Sequence, residues 1–324
     1  MRSARLPIAV VAFALVCLLV GRFGALYRAF ATQSAVDGLL VLSLVVLTGF
    51  VGQVSFVQAE LAGFGALSAG WLVTRLHWSF WFAMPVAVAA TVAVGVVVGL
   101  PALRLRGLIL GVVTIALALM FDSFVFTSKP FAHPSRVARP ALFGWKLTDD
   151  RATFAFCLAV FVIVAFLVEN LRRSKTGRMF AAIRDSEMAA RTAGIDVTRY
   201  KLLAFGISAG LAGLSGTLLL LSIGTADGSS FTLLNSISQA AVIVLMGAGY
   251  VVSAFAGGVF LVWGSEILRK FDVPVQYFDV VLGGLLVLQL IMAPEGVVAV
   301  NRHLAQSVVK WVRGRRAQPA GAAA

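Results

Sequence analysis

The feature that most constrains this chain is a succession of apolar runs, each near 20 residues long and bounded by glycine, proline or charge. About 20 apolar residues in one helix match the hydrocarbon thickness of a bilayer. On that measure the sequence predicts spans near 7–23, 35–52, 57–75, 79–100, 107–126, 152–169, 202–222, 234–251, 253–268 and 277–293. The third, eighth and ninth are short or rich in glycine and polar residues. The expectation is therefore an all-α, polytopic integral membrane protein with about eight to ten transmembrane helices. Composition agrees: 60% of residues are hydrophobic and 13% charged, whereas soluble domains carry about 25% charged residues. An ordinary soluble enzyme and a disordered chain are both excluded.

Residues 1–301 read as one transmembrane unit, with an outer loop at 128–151 and a basic loop at 170–201. Residues 302–324 read as a basic, then Ala/Pro/Gly-rich tail suited to contact with anionic lipid. Arg2 and Arg5 before an apolar stretch, with Ala29-Phe30-Ala31 further on, imitate a secretory leader. That tripeptide lies well past the apolar run, with Arg22 and Arg28 between, which favours an uncleaved first span.

The net charge of +13 belongs to membrane orientation and not to nucleic acid, because the cations sit between long uncharged runs. Seventeen of the 27 Lys and Arg fall on one side if the N-terminus is inside, eight of them between Arg172 and Lys201. Both termini are expected in the cytoplasm. Cys17 and Cys157, far apart in apolar runs, read as packing residues.

Small residues recur at helical spacing in three places: Ala62, Ala66 and Gly70; Gly206 and Gly210, with Ser208, Ala212 and Gly216 beside them; and Gly247, Gly249, Gly257 and Gly258. Such ladders let helix backbones approach closely in lipid, and three of them imply a compact bundle with an internal pathway or a dimer seam. Gly49-Phe-Val-Gly52-Gln53-Val-Ser55, followed by Gln58, weakens a helix at membrane depth. It reads either as a pathway element or as a plain cytoplasmic turn.

The basic loop carries a predicted helix over 178–193. Gly177 precedes it, Gly194 caps it, Met179, Ile183, Ser186 and Ala190 share one face, and Asp196 or Thr198 caps the span that follows. A short amphipathic helix held between two spans suits either docking on a cytoplasmic partner or lying on lipid headgroups.

The run from Ala182-Ile-Arg-Asp-Ser-Glu187 through Ala190 to Gly194-Ile, then Lys201-Leu-Leu-Ala-Phe205 and Ser208 to Ala212-Gly213, resembles the signature loop of bacterial ABC importer permeases. It is most similar to the branched-chain amino-acid type, the LivM-like branch. Gly52-Gln53-Val-Ser55 with Gln58-Ala59, Leu103-Arg-Leu-Arg-Gly107, and Pro294-Glu295-Gly296 carry the same resemblance, which covers about 45–300. The resemblance implies an inner-membrane subunit paired with a second, related permease and two cytoplasmic ATPases, supplied by an extracytoplasmic substrate-binding protein. It also implies that helix 178–193 is the coupling helix, with Arg184, Asp185, Glu187, Ala190 and Gly194 at the ATPase contact. ATP and Mg would then be handled by the partner subunits, with no cofactor on this chain. The solute would be a branched-chain amino acid, or urea or an amide. The outer loop, with Pro130, Pro134, Pro140 and Trp145, reads as a binding-protein platform or a connector.

Ionisable groups at membrane depth must face protein or water. Asp37, Asp122, Glu266 and Asp279 lie near predicted span ends and read as interfacial, whereas Glu60 is deeper. With Gln53, Ser55 and Gln58 it forms a candidate translocation path; the alternative is a hydrogen-bonded helix contact. An ion-coupled secondary transporter using Glu60 is the rival of another class. There is no Gly-x-x-x-x-Gly-Lys-Ser/Thr phosphate loop, His77, His133 and His303 stand apart, and neither metal spacing nor a nucleophile–base pair is visible, so no enzyme is expected.

Overall fold

The computed structural model describes residues 24–292, apart from 103–104, 106, 132–133, 138–140, 143–144, 147–149, 273 and 275–276. The predicted span at 7–23, the tail at 302–324 and Pro294-Glu295-Gly296 lie outside the described residues. Within them the chain forms eleven α-helices and four two-residue strands.

Six segments are long and apolar enough to cross a membrane: Ala25–Phe50, Phe80–Pro101, Asp150–Arg173, Val197–Ile223, Gly228–Met246 and Val251–Lys270. Ile109–Val125 and Phe278–Met292 are shorter apolar helices. In chain order the helices are α1 (Ala25–Leu44, continued by a π turn, Val45–Phe50), α2 (Gln58–Arg75), α3 (Phe80–Ala102), α4 (Leu108–Met120), α5 (Asp150–Arg173), α6 (Lys175–Asp185), α7 (Glu187–Thr192), α8 (Val197–Ile223), α9 (Leu233–Met246), α10 (Val251–Lys270) and α11 (Phe278–Met292). The long, unbroken hydropathy of these segments explains their helicity: in lipid a backbone must satisfy its own hydrogen bonds. The protein is a multi-pass membrane protein.

Helix α8 lies at the centre, packed against α1, α2 and α3, while α1 also packs on α10 and α5. The small-residue ladders make these contacts within the chain. A Cβ on Gly65 would stand 2.7 Å from the backbone of Gly213, and one on Gly216 would run into the carbonyl of Ala62. Gly258 meets α1 in the same way at Ser34 and Gly38.

Three sequence expectations are corrected. The second span begins at Ala25 and not at 35, so Ala29-Phe30-Ala31 lies inside α1. The basic loop holds two helices in place of the single helix 178–193: Ser186 is extended (φ −160°, ψ 113°) and separates α6 from α7. Gly177 lies inside α6, buried where the backbone of Leu171 and Arg172 leaves no room for a Cβ.

At the end opposite the basic loop, β1 (Ser135–Arg136) pairs antiparallel with β4 (Thr225–Ala226). A further bond runs from Val137 N–H to the Gly224 carbonyl, 2.8 Å. The outer loop is thereby clasped to the connection that follows α8. A second pairing, β2 (Ala141–Leu142) with β3 (Trp145–Lys146), is local to that loop.

Candidate functional site

The helical break anticipated at Gly49–Ser55 is present. Helix α1 ends in its π turn, Gly52 takes a left-handed φ of +75°, and the chain is irregular until α2 starts at Gln58. Thr48 Oγ1 donates to the Gln53 carbonyl (3.2 Å), and Phe56 N–H donates to Thr114 Oγ1 on α4 (3.2 Å). These bonds meet the backbone needs of a segment that has left the helix.

Helix α2 then starts beside the beginning of α9. Ala59 N–H donates to Ser236 Oγ (2.9 Å), and Ser236 Oγ donates to Glu60 Oε2 (2.6 Å). The two helices diverge from this meeting point. Gly70 of α2 reaches Ser135 at the clasped end, while the turn after α9 places Ala248 against Gly49 at the other. The positive N-terminal ends of α2 and α9 therefore meet at Ser236 and Glu60.

Gln53, Ser55, Gln58 and Glu60 are all at most 5% exposed. Ser43 Oγ donates to Gln58 Oε1 (3.1 Å) and Ser208 Oγ to the Ser43 carbonyl (2.8 Å). Yet Gln53 Oε1, Ser55 Oγ, Gln58 Nε2 and Glu60 Oε1 have no partner among the described residues. Buried polar atoms are almost always satisfied. Four orphans in one seam mark a line where water or a polar solute is needed.

The basic loop touches the Gly49–Gly52 end of this seam. Arg184 Nη1 donates to the Gly49 carbonyl at 2.6 Å, and the Arg184 side chain covers Gly52. Arg172, at the end of α5, places its guanidinium 5.9 Å from the Phe50 ring and 5.6 Å from that of Tyr250. Helices α5 and α6, the end of α1 and the α9–α10 turn are thus joined at one place.

Within the loop, Ser174 caps α6 through Gly177 N–H, Ser186 caps α7 through Ala189 N–H, and Asp196 caps α8 through Arg199 N–H. Gly194 has φ +79°, the left-handed stop that only glycine takes without strain. Phe180, Ile183 and Ala190 are buried, and Phe180 meets the Tyr200 ring edge-on at 6.2 Å. Asp185, Met188 and Arg191 are exposed.

Two residues named for an outward contact are turned inward. Ala190 is buried, and Glu187 forms an ion pair with Lys201 at 2.5 Å. Lys201 is only 1% exposed, a brace between α7 and α8 that sequence spacing did not reveal. Glu187→Gln would strand a buried ammonium, and the expected loss is about 3 kcal/mol. A thermal melt of the purified protein reads it, and a Glu187→Gln/Lys201→Met double variant is expected to recover most of that loss.

Of the four carboxylates expected near span ends, Asp122, Glu266 and Asp279 stand near helix ends and Asp37 does not. Asp37 is not at a span end: it lies a dozen residues into α1, accepting from Gln33 Nε2 (3.1 Å) and lining an internal cavity. Asp279 lines the same cavity. Asp122 accepts from Leu233 N–H (3.3 Å), and Glu266 pairs with Arg269 (2.7 Å) near the end of α10. Gln33 and Asp37, four residues apart, were the available signal for the cavity. Among the described residues no group of His, Cys, Asp and Glu could hold a metal ion.

The family described as branched-chain amino acid transport system / permease component matches residues 26–290. The high-affinity branched-chain amino acid transport system permease protein LivM of Salmonella typhimurium is 31% identical over 300 residues, 84% of this chain and 70% of that protein. The autoinducer 2 import system permease protein LsrC of Enterobacter sp. is 30% identical over 161 residues, 48% of this chain and 46% of that protein. The fructose import permease protein FruG of Bifidobacterium longum is 26% identical over 161 residues, 48% of this chain and 47% of that protein. No solved structure matches.

Proposed function

The chain belongs to the family of branched-chain amino acid transport system permease components, and on that premise we propose that it is the membrane-spanning subunit of an ATP-driven importer for a branched-chain amino acid or a related small polar solute. Its partners on this reading are a second, related permease, two cytoplasmic ATPases and an extracytoplasmic binding protein. It resides in the bacterial inner membrane with the basic loop and both termini in the cytoplasm. The chain holds no cofactor of its own, and ATP and Mg²⁺ act on the ATPases.

The observation that carries the reading is the bond from Arg184 to the Gly49 carbonyl. It connects the last turn of α6, in the basic loop, to the break that follows α1. A stroke delivered to the outer surface of that loop reaches the end of α1 without passing through a flexible linker. The seam of Gln53, Ser55, Gln58 and Glu60 then starts directly above it. Movement of the break would open or close this seam, biasing the bundle between two access states. Relatives named for branched-chain amino acids, autoinducer 2 and fructose support a small polar solute as the class, and LivM, which spans most of this chain, supports an amino acid.

Tagged protein purified from its own host is expected to elute with an ATPase subunit, and deletion of the gene is expected to abolish ATP-dependent amino-acid uptake. Proton-driven uptake by the chain alone in liposomes would instead support ion coupling through Glu60. Glu60→Gln is expected to slow uptake about fivefold, equivalent to about 1 kcal/mol for one weakened hydrogen bond. Uptake at the wild-type rate and affinity would remove Glu60 from the path.

A further inference from the structure

Helices α1, α2, α8, α9, α10 and α11, with the turn before α9, line a partly open cavity of about 280 Å³ with Asp279 exposed at its edge. It adjoins the seam at Ala59 but contains none of Gln53, Ser55, Gln58 or Glu60. Its polar wall includes Gln33, Asp37, Ser238, Gln239 and Asp279. Each carboxylate has one oxygen occupied: Asp37 Oδ1 accepts from Gln33, and Asp279 Oδ1 accepts from Ser238 Oγ (2.7 Å). Gln239 is 8% exposed, and its Oε1 has no partner among the described residues. Among the described residues no Lys, Arg or His lines the cavity.

We propose that this cavity is a solute subsite that receives a primary ammonium group carried on a small aliphatic body. The proposal rests on the importer reading and names what part of the solute the chain recognises. Two carboxylates and a carbonyl oxygen unpartnered among the described residues share one space with no cation on the described wall, so the space favours a positive charge. An ammonium group brings one positive charge and three N–H donors. A carboxylate would meet like charge, so the same wall selects against it. The rest of the wall, with Leu40, Leu219, Leu261 and Phe278, is apolar and suits a branched alkyl chain. A bare metal ion is a poorer fit, because it needs a closed oxygen shell at about 2.0–2.6 Å, and this space is that of a small organic molecule.

The test is equilibrium binding to the full chain in lipid nanodiscs, with three probes of similar alkyl body. L-leucine has both charged groups, 3-methylbutylamine has only the amine, and 4-methylpentanoate has only the carboxylate. Leucine and the amine are expected to bind at up to millimolar concentration, and the carboxylate at least tenfold more weakly. Asp37→Asn with Asp279→Asn is expected to weaken amine binding at least tenfold, and Gln239→Leu several-fold. Equal binding of the carboxylate, binding of neither amine, or an unchanged affinity in the double variant overturns the proposal. So does displacement of the amine by sodium chloride beyond what choline chloride produces. The comparison of the two single-charge probes uses unsubstituted protein, so it decides the matter even if the variants fold poorly. Failure here with ATPase co-elution and ATP-dependent uptake intact rejects the subsite alone. Loss of those two with amine binding intact rejects the importer reading.

Discussion

Arg184→Ala is expected to leave the protein in the membrane and bound to its ATPase, yet to cut ATP-dependent uptake at least tenfold. The bond at stake joins a guanidinium to the Gly49 carbonyl at 2.6 Å. A charge-assisted bond of that length is about twice as strong as a neutral one, and tenfold corresponds to only about 1.4 kcal/mol. Stability should change little, because Arg184 is largely exposed and the buried anchors of α6, Phe180 and Ile183, remain. Arg184→Lys keeps the charge but loses the planar fork, so uptake between wild type and alanine is expected. Uptake and ATP hydrolysis measured together in vesicles check the claim: hydrolysis should continue while transport fails. If the alanine variant transports normally, the force path does not run through Gly49.

Gly216→Val is expected to remove nearly all folded protein. Its new side chain would occupy the position of the Ala62 carbonyl on α2, and a backbone cannot step aside as a flexible side chain can. One turn away, Gly65 and Gly213 bring the same two helices together at the backbone. Overpacking at such a contact costs about 3 kcal/mol or more, a large share of the margin of a typical domain. Gly283→Val is the control, since nothing lies within 4 Å of a Cβ there. Membrane-extracted yield and thermal midpoint separate the two; similar values for both variants would show that α2 and α8 do not pack in this way.

Hydropathy located the long spans because lipid imposes one simple demand on length and polarity, and α3, α5 and α8 begin and end within a few residues of expectation. It misjudged α1 because Arg28 and Gln33 made 24–34 look like a loop, whereas Gln33 lines a cavity with Asp37. Helices α2 and α9 gave faint signals because Gln58 and Glu60 in one, and Asn235, Ser236 and Gln239 in the other, dilute their apolar runs. Their meeting at Ser236 joins residues 176 positions apart, a separation that no local spacing encodes.

In the basic loop, the stop at Gly194 and the cap at Asp196 were legible because both are local chemistry. The division at Ser186 was missed: an extended serine between two helices needs knowledge that Phe180 and Ala190 must both turn inward. The brace from Glu187 to Lys201 follows from that same division. As for the seam, the residue types were readable, and their burial with unanswered polar atoms was not.

The clasp of Ser135–Arg136 on Thr225–Ala226 has a mechanical consequence. It fastens the end of α8 that is remote from Arg184, and a rod pinned at one tip swings instead of sliding. On the importer reading proposed above, the clasp would act as a fulcrum, so displacement of α8 would grow with distance from it. The widest opening would then be expected near Gly49, with the far rim comparatively still.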